Sequence, residues 1–220
     1  MSDNPKIKAV VFDVGETLIN EDRMWRGWAT YLGVSIETVL EALDAVIAER
    51  GHHWTALQSI KPGLDVKTTI AEPLATGERM IFDRDDLYTD ALSCLATLRD
   101  RGYTVGIVGN QPAQSVTALA ACGFRPGFNG SSAGWGVEKP SPAFFAKVQQ
   151  TSGLEAGAIV YVGDRLDNDI LPAREAGMVG VFIQRGPWGR LHATWPELDQ
   201  AAIHVKGLLE IPDILDRYRP

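Results

Sequence analysis

Four short runs of mainly β-branched residues constrain the fold of this chain most strongly. The runs have apolar side chains on both faces and read IKAVVFD from residue 7, YTVGIVGN from residue 103, AIVYVGD from residue 158 and VGVFIQ from residue 179. Such strands are typical of parallel sheets that helices cover on both sides. Since helical stretches separate the runs, the sequence predicts βαβ units with right-handed crossovers in a doubly wound α/β fold.

The helices between these runs have recognisable ends. In SPAFFAKVQQTSG, Ser141 is an expected N-cap and Pro142 an expected first helical residue, where a missing N–H costs nothing. Gly102 and Gly123 are placed to follow the two preceding helices. FNGSSAGWG, from residue 128, is an expected further short strand.

One section does not alternate between strands and helices. From about residue 20 to residue 83 the sequence predicts helices without a convincing strand, and Ser35 is placed to cap one of them. We therefore expect a Rossmann-like core domain of residues 1–20 and 84–220 with an inserted helical cap of residues 21–83.

The charge composition restricts the possible partners. Lys and Arg total 21 against 28 Asp and Glu, a formal net charge of −7, which argues against a nucleic-acid surface. No apolar run approaches the roughly 20 residues that span a bilayer, and the N-terminus has no signal-peptide pattern. We expect a cytoplasmic protein that binds neither nucleic acid nor membrane, and the sequence leaves its oligomeric state open.

Polar residues follow the predicted strands at their carboxyl ends, where open parallel sheets bind ligands. The residues in question are Asp13, Gly109, Asn110, Lys139, Asp164 and Asp169. Crowded carboxylates raise one another's pKa unless a cation intervenes, so Asp13 and Asp164 are predicted Mg²⁺ ligands. Lys139 then supplies a positive charge to a substrate anion or to Asp13. Such a site can accept a phosphate despite the acidic composition.

The motifs FDVGETL, IVGN, EKPSPAFF and YVGDRLDNDILPAREAGM, in this order, resemble those of the haloacid dehalogenase-like (HAD) hydrolase superfamily. The resemblance covers most of the chain, and the helical insertion is similar to the C1 cap of that family. It implies hydrolysis of a small phosphorylated metabolite through an aspartyl-phosphate on Asp13. It also implies Mg²⁺ bound by Asp13, the backbone carbonyl of Gly15, and Asp164.

The resemblance assigns roles to further residues. Asp169 is expected to orient Lys139 or to support the metal, and Asn110, with backbone N–H groups near Gly109, to hold the transferring group. Two arginines are candidate substrate contacts from their positions: Arg26 at the start of the cap, unless it is solvated, and Arg165 beside Asp164, unless it pairs with a surface acid.

Two positions depart from the family pattern. Phosphatases of this family generally have a second Asp two residues after the nucleophile, which protonates the leaving alcohol, but position 15 is glycine. Gly109 stands where the family usually has Ser or Thr. Glu16 is a candidate replacement acid if its longer side chain reaches past Gly15. The other interpretation is that Glu16 points outwards or binds loop amides.

The missing acid leaves two other functions open. Dehalogenases of the family manage without the second Asp because a halide leaves without a proton, but they usually lack the metal motif that is intact here in GDRLDND. A protein of weak activity that binds a phosphorylated ligand or a partner is the other alternative. Mg²⁺-dependent phosphatase activity is the preferred prediction, and turnover of p-nitrophenyl phosphate separates a slow enzyme from a binding protein.

Overall fold

The computed structural model describes residues 6–66, 69 and 82–218, and its centre is a six-stranded parallel sheet. The strands are β1 (Ala9–Phe12), β2 (Thr104–Gly109), β3 (Phe128–Ser131), β4 (Ile159–Gly163), β5 (Val179–Ile183) and β6 (Ile203–Val205). The order β3-β2-β1-β4-β5-β6 reverses between β1 and β4. The five predicted strands are confirmed, and β6 is a short edge strand that the sequence analysis did not predict.

The register of the sheet fixes which residues meet at its carboxyl edge. Phe12 pairs with Ile107 of β2 on one side and with Val162 of β4 on the other. The amide of Asp13 donates to the carbonyl of Val162 at 2.9 Å, so the ladder continues one residue beyond β1. The residues that follow β1, β2 and β4 therefore lie side by side.

Helices connect the strands and cover both faces of the sheet. They are α1 (Asp22–Leu32), α2 (Ile36–Ala48), α3 (His53–Ile60), α4 (Ala91–Asp100), α5 (Ser115–Ala121), α6 (Ser132–Trp135), α7 (Pro142–Ser152), α8 (Leu171–Glu175), α9 (Gly186–His192) and α10 (Ile211–Arg217). A π-helical turn, Leu166–Ile170, leads into α8. None of the described helices is both long and apolar enough to cross a membrane.

The predicted helix ends agree with the structure. The Ser141 hydroxyl accepts a hydrogen bond from the amide of Ala143 at 3.3 Å, and Pro142 is the first residue of α7. Gly102 follows α4 with a left-handed φ of 86°. Such a glycine ends a helix without steric strain.

The two faces of the sheet have separate apolar clusters, as the two-sided strands predict. Val10 and Phe12 pack on one face with residues of α4 and α10, and Val11 and Tyr161 pack on the other face with residues of α7. The strands of the centre are therefore buried from both sides, which explains their nearly continuous apolar sequences.

Helices α1, α2 and α3 build a third apolar cluster with a contribution from α9. Trp28, Val39, Leu43 and Leu57 are fully buried in it, and Trp188 joins from the core side of the chain. The described residues of the segment 20–66 contain no strand, in agreement with the helical prediction. The rest of the predicted cap, residues 67–68 and 70–81, lies outside the described residues, and the division into core and cap stays a prediction.

Candidate active site

Three carboxylates meet at the carboxyl edge of the sheet. Asp13 follows β1, Asp164 follows β4, and Asp169 lies in the π-helical turn. Each offers an oxygen atom that lies within 4.8 Å of an oxygen of the other two, and all three residues are buried. The structure therefore brings together Asp13, Asp164 and Asp169, which the sequence analysis places at the carboxyl edge of the sheet.

Lys139 lies among these carboxylates. Its Nζ donates to Oδ1 of Asp13 at 2.6 Å and to Oδ1 of Asp169 at 2.5 Å. Burial alone would lower the pKa of Lys139, but the two carboxylates outweigh it, and the pKa lies well above its ordinary value. Lys139 is therefore a permanent cation within the cluster.

Asn110 fixes the position of Lys139. The backbone amide of Lys139 donates to Oδ1 of Asn110 at 2.8 Å, and Nδ2 of Asn110 donates to the Lys139 carbonyl at 2.9 Å. The sequence analysis expects Asn110 to hold the transferring group. In the structure its amide is occupied by this pair of hydrogen bonds, although the residue also lines the cavity beside Asp13.

The donor set fits a hard divalent cation. Burial first, and then the charges of Asp169 and Asp13, raise the pKa of Asp164 well above its ordinary value, so the cluster holds excess negative charge that a cation would neutralise. Asp169 is the least available ligand, because Lys139 uses its Oδ1 and the amide of Arg165 donates to its Oδ2 at 3.1 Å. Burial raises the pKa of Asp169 to about 6.

Gly109 makes room for the Asp13 carboxylate. A Cβ atom at position 109 would lie 2.5 Å from Oδ1 of Asp13, closer than real Cβ atoms approach any other heavy atom. With this geometry, a Ser or Thr at position 109 would require the Asp13 carboxylate to shift. This contact gives a physical reason for the second departure from the family pattern.

Glu16 is buried beside the site. Its backbone has a left-handed φ of 50°, and its carboxylate accepts hydrogen bonds from the Tyr88 hydroxyl at 2.5 Å and from the amide of Glu21 at 3.3 Å. Burial is the main cause that raises the pKa of Glu16 to about 7. Glu16 does not point outwards, and one of its two oxygens binds a loop amide.

Glu21 is a residue of the site that the sequence analysis missed. A Cβ atom at Gly15 would lie 2.2 Å from Oε1 of Glu21, so the Glu21 carboxylate occupies the space of a side chain at position 15. Within residues 6–66, 69 and 82–218, this carboxylate has no hydrogen-bond or ion-pair partner. Burial first, and then the charges of Glu16 and Asp13, raise the pKa of Glu21 to about 8.

The two candidate arginines lie in different places. Arg165 lines the cavity, but its guanidinium already binds both carboxylate oxygens of Asp167, at 3.0 Å and 2.8 Å. Arg26 is exposed and lines a separate shallow depression with Asp22 and Asp85. One residue along a helix turns a side chain by about 100°, so Trp25 faces the cavity and Arg26 does not.

A cavity of about 230 Å³ opens above the carboxylates. Asp13, Lys139 and Asp164 line one part of it, and Glu16, Glu21 and Arg165 contribute further charged groups. Another part of the wall is formed by apolar and aromatic side chains: Met24, Trp25, His53, Trp54, Phe82 and Trp188. The cavity thus joins a charged cluster suited to a phosphate to a largely apolar surface.

Comparison with known proteins identifies the family of this chain. A model of the haloacid dehalogenase-like hydrolases matches residues 7–177. A glyceraldehyde 3-phosphate phosphatase from Methanopyrus kandleri is 32% identical over 201 residues, 83% of this chain and 86% of the relative.

Solved structures give the same fold. A HAD phosphatase from Thermococcus onnurineus has a TM-score of 0.63 at 23% identity and covers 97% of this chain and 100% of its own. An L-2-haloacid dehalogenase from Xanthobacter autotrophicus has a TM-score of 0.67 at 19% identity, with the same two coverages. At these identities the structures support the fold alone. The family match over residues 7–177, together with the 32% identical relative, establishes that the chain belongs to the haloacid dehalogenase-like hydrolases.

Proposed function

We propose that this chain is a Mg²⁺-dependent phosphatase that hydrolyses a small phosphate monoester through an aspartyl-phosphate on Asp13. The observation that carries the proposal is the arrangement of Asp13, Asp164 and Lys139, with Asp13 and Asp164 at ligand spacing and Lys139 2.6 Å from Asp13. Similarity to proteins named as phosphatases supports the same reaction class. The finer assignments below are part of the proposal.

Asp13, Asp164 and the backbone carbonyl of Gly15 would hold the Mg²⁺ ion. When bound, the ion supplies positive charge that offsets the carboxylates and the phosphate oxygens. Lys139 supports the same charge balance, and Asp169 holds Lys139 in place through the 2.5 Å hydrogen bond. We further propose that residues 21–83 act as a cap that limits the access of water.

Asp13 is the nucleophile. Lys139 binds Oδ1 of Asp13, which leaves the second carboxylate oxygen to attack phosphorus. As the new P–O bond forms, the bond from phosphorus to the ester oxygen breaks, and the electron pair of that bond moves to the departing oxygen. An alkyl ester then needs a proton on this oxygen, since an alkoxide is a poor leaving group.

We propose Glu21 as the donor of this proton, with Glu16 positioning it. Glu21 fills the space beside Gly15 and lines the cavity together with Asp13. Glu16 accepts from the Glu21 amide and is held by Tyr88, so it fixes the start of α1. In the second step the Glu21 carboxylate takes a proton from water, the water oxygen attacks phosphorus, and the bond from phosphorus to Asp13 breaks to release phosphate.

The experiment that tests this function is hydrolysis of p-nitrophenyl phosphate with Mg²⁺ and with EDTA, run beside release of halide from 2-haloacids. We expect Mg²⁺-dependent phosphate release that Asp13→Asn abolishes, while Asp100→Asn, at an exposed aspartate at the end of α4, retains it. Native turnover by Asp13→Asn contradicts the nucleophile assignment. Halide release without Mg²⁺ favours the dehalogenase alternative, and loss of all turnover with retained phosphate binding favours the binding protein.

A further inference from the structure

We propose that the substrate is the phosphate monoester of an uncharged alcohol whose organic part is apolar and carries an aromatic ring. This inference rests on the proposed phosphatase function and adds the chemical class of the leaving group. Two independent features of the cavity carry it. One is a wall of aromatic rings that contact one another, and the other is that each lining cation among the described residues already has a carboxylate partner.

The aromatic wall comes from three separate helices. Trp25 belongs to α1, His53 and Trp54 to α3, and Trp188 to α9. The Trp25 and Trp188 rings stack with centroids 6.2 Å apart, and His53 meets Trp54 at 4.0 Å and Trp188 edge-on at 5.8 Å. Because the rings hold one another in place, a flat apolar group can bind without a large cost for ordering the wall.

His53 strengthens the apolar character of this wall. Burial is the main cause that lowers its pKa well below the ordinary value, so the ring is neutral at pH 7. Met24 and Phe82 complete the surface with side chains that carry no charge. A hydroxylated chain placed against Met24 and Phe82 would lose its hydration without gaining hydrogen bonds from these two side chains.

The cations that line the cavity already have carboxylate partners. Within the part of the chain that the structure describes, they are Lys139, Arg165 and Arg23. Lys139 binds Asp13 and Asp169, Arg165 binds Asp167, and Arg23 binds Asp86 and Asp83. Lys139 would offset the charge of the phosphate, together with Mg²⁺ when the ion is bound. A second anionic group on the substrate would find no unpaired cation among the described residues that line the cavity.

The carboxylates that line the cavity add to this selection. They are Asp13, Glu16, Glu21, Asp86 and Asp164, against three cations. Burial raises the pKa of Glu16 to about 7 and that of Glu21 to about 8, so a carboxylate or second phosphate on the leaving alcohol would further disfavour their ionised forms instead of gaining an ion pair. The cavity therefore disfavours acidic leaving groups and favours apolar ones.

Several uncharged polar groups of the cavity are also engaged with the protein. Both polar atoms of the Asn110 amide bind the Lys139 backbone. Oδ1 of Asn20 accepts from the amide of Asp22 at 2.8 Å, and Oε1 of Gln111 accepts from Ser115 at 3.1 Å. A substrate hydroxyl that bound one of these engaged atoms would compete with the existing hydrogen bond, whereas an aromatic ring leaves all of these bonds intact.

The test compares three esters of aliphatic alcohols, so that the reactivity of the leaving group stays similar: 2-phenylethyl phosphate, glycerol 3-phosphate and 2-phosphoglycolate. With Mg²⁺ we expect kcat/KM for 2-phenylethyl phosphate to exceed the other two by at least about tenfold, the lower end of what apolar pocket contacts contribute. A smaller preference, or the reverse order, overturns the inference. If these esters and p-nitrophenyl phosphate are all inert, the phosphatase proposal itself has failed.

Two variants examine the wall and the charge separately. Trp54→Ala should raise KM for 2-phenylethyl phosphate and reduce its preference over glycerol 3-phosphate by at least about fivefold. Tyr31→Ala, at an exposed aromatic residue of α1 outside the cavity, should keep the wild-type preference. Met24→Lys adds an unpaired cation and should raise kcat/KM for 2-phosphoglycolate. An unchanged preference in both folded cavity variants overturns the inference.

Discussion

Protonation of His192 should destabilise the loop that carries the proposed metal ligand Asp164. His192 ends α9, is 1% exposed, and its Nδ1 accepts a hydrogen bond from the amide of Leu166 at 2.9 Å. The neutral ring therefore carries its proton on Nε2, which has no hydrogen-bond partner among the described residues. A second proton on Nδ1 would oppose the Leu166 N–H and remove this bond two residues after Asp164.

The size of the effect follows from the pKa of His192. Burial is the main cause that lowers this pKa from 6.5 to about 4; Arg165 and Arg50 lower it further, and Asp167 and Glu197 oppose them. Below pH 6.5 the unfolded chain binds a proton that the folded state does not bind until about pH 4. Stability is thus complete above pH 6.5 and falls toward pH 4, by about 3 kcal/mol at about 1.4 kcal/mol per pH unit.

Urea unfolding between about pH 7 and pH 4 measures this loss. Wild type should lose about 3 kcal/mol more of its free energy of unfolding over this window than His192→Asn, whose amide retains an acceptor without titrating. His204→Asn, at an exposed histidine of β6, should follow the wild-type curve. Equal losses in wild type and His192→Asn would refute the reasoning.

Two further predictions concern the departures from the family pattern. Glu21→Gln should slow alkyl phosphates by about 10² or more and p-nitrophenyl phosphate much less, because nitrophenolate leaves without a proton. Glu16→Gln should change the ratio of the two turnover rates less than Glu21→Gln does. If Glu21→Gln slows both kinds of ester equally, Glu21 is not the proton donor. Gly109→Ser should lower kcat rather than raise it, because its Cβ would lie 2.5 Å from Oδ1 of Asp13; a faster Gly109→Ser enzyme would show that Asp13 tolerates the displacement.

The sheet and the centre of the site follow from the sequence for one physical reason. Parallel strands buried on both faces have long apolar runs, and the residue after each run lies at the same edge, so Asp13 and Asp164 can be predicted from strand ends. Lys139 lies in a loop between two helices and is predicted from the EKPSP motif instead. Strand β6 could not be predicted in this way because it has only three residues. His204 is exposed, and of the three only Val205 is fully buried.

The place of Glu21 in the site could not be predicted from the sequence for a different reason. Its position depends on how the loop after β1 turns back, through the left-handed Glu16 and a hydrogen bond from the Glu16 amide to the carbonyl of Ile19 at 2.7 Å. No motif spacing encodes a contact between Gly15 and a residue six positions later. Arg26 was predicted at the site but lies elsewhere. Its sequence position near the loop after β1 did not determine which side of α1 it occupies.

The two unusual glycines belong to one rearrangement of the site. A side chain at position 15 would overlap the Glu21 carboxylate at 2.2 Å, and one at position 109 would overlap Asp13 at 2.5 Å. Each glycine thus accommodates a carboxylate that the usual residue would displace. Lys139 pairs with Asp13, whereas the Glu21 carboxylate has no hydrogen-bond or ion-pair partner among the described residues. An unpaired carboxylate of this kind costs stability and is retained where a reaction needs it. The pair of glycines therefore favours an enzyme whose acid has moved to Glu21 over a protein that has lost its acid, and the leaving-group dependence of Glu21→Gln separates the two.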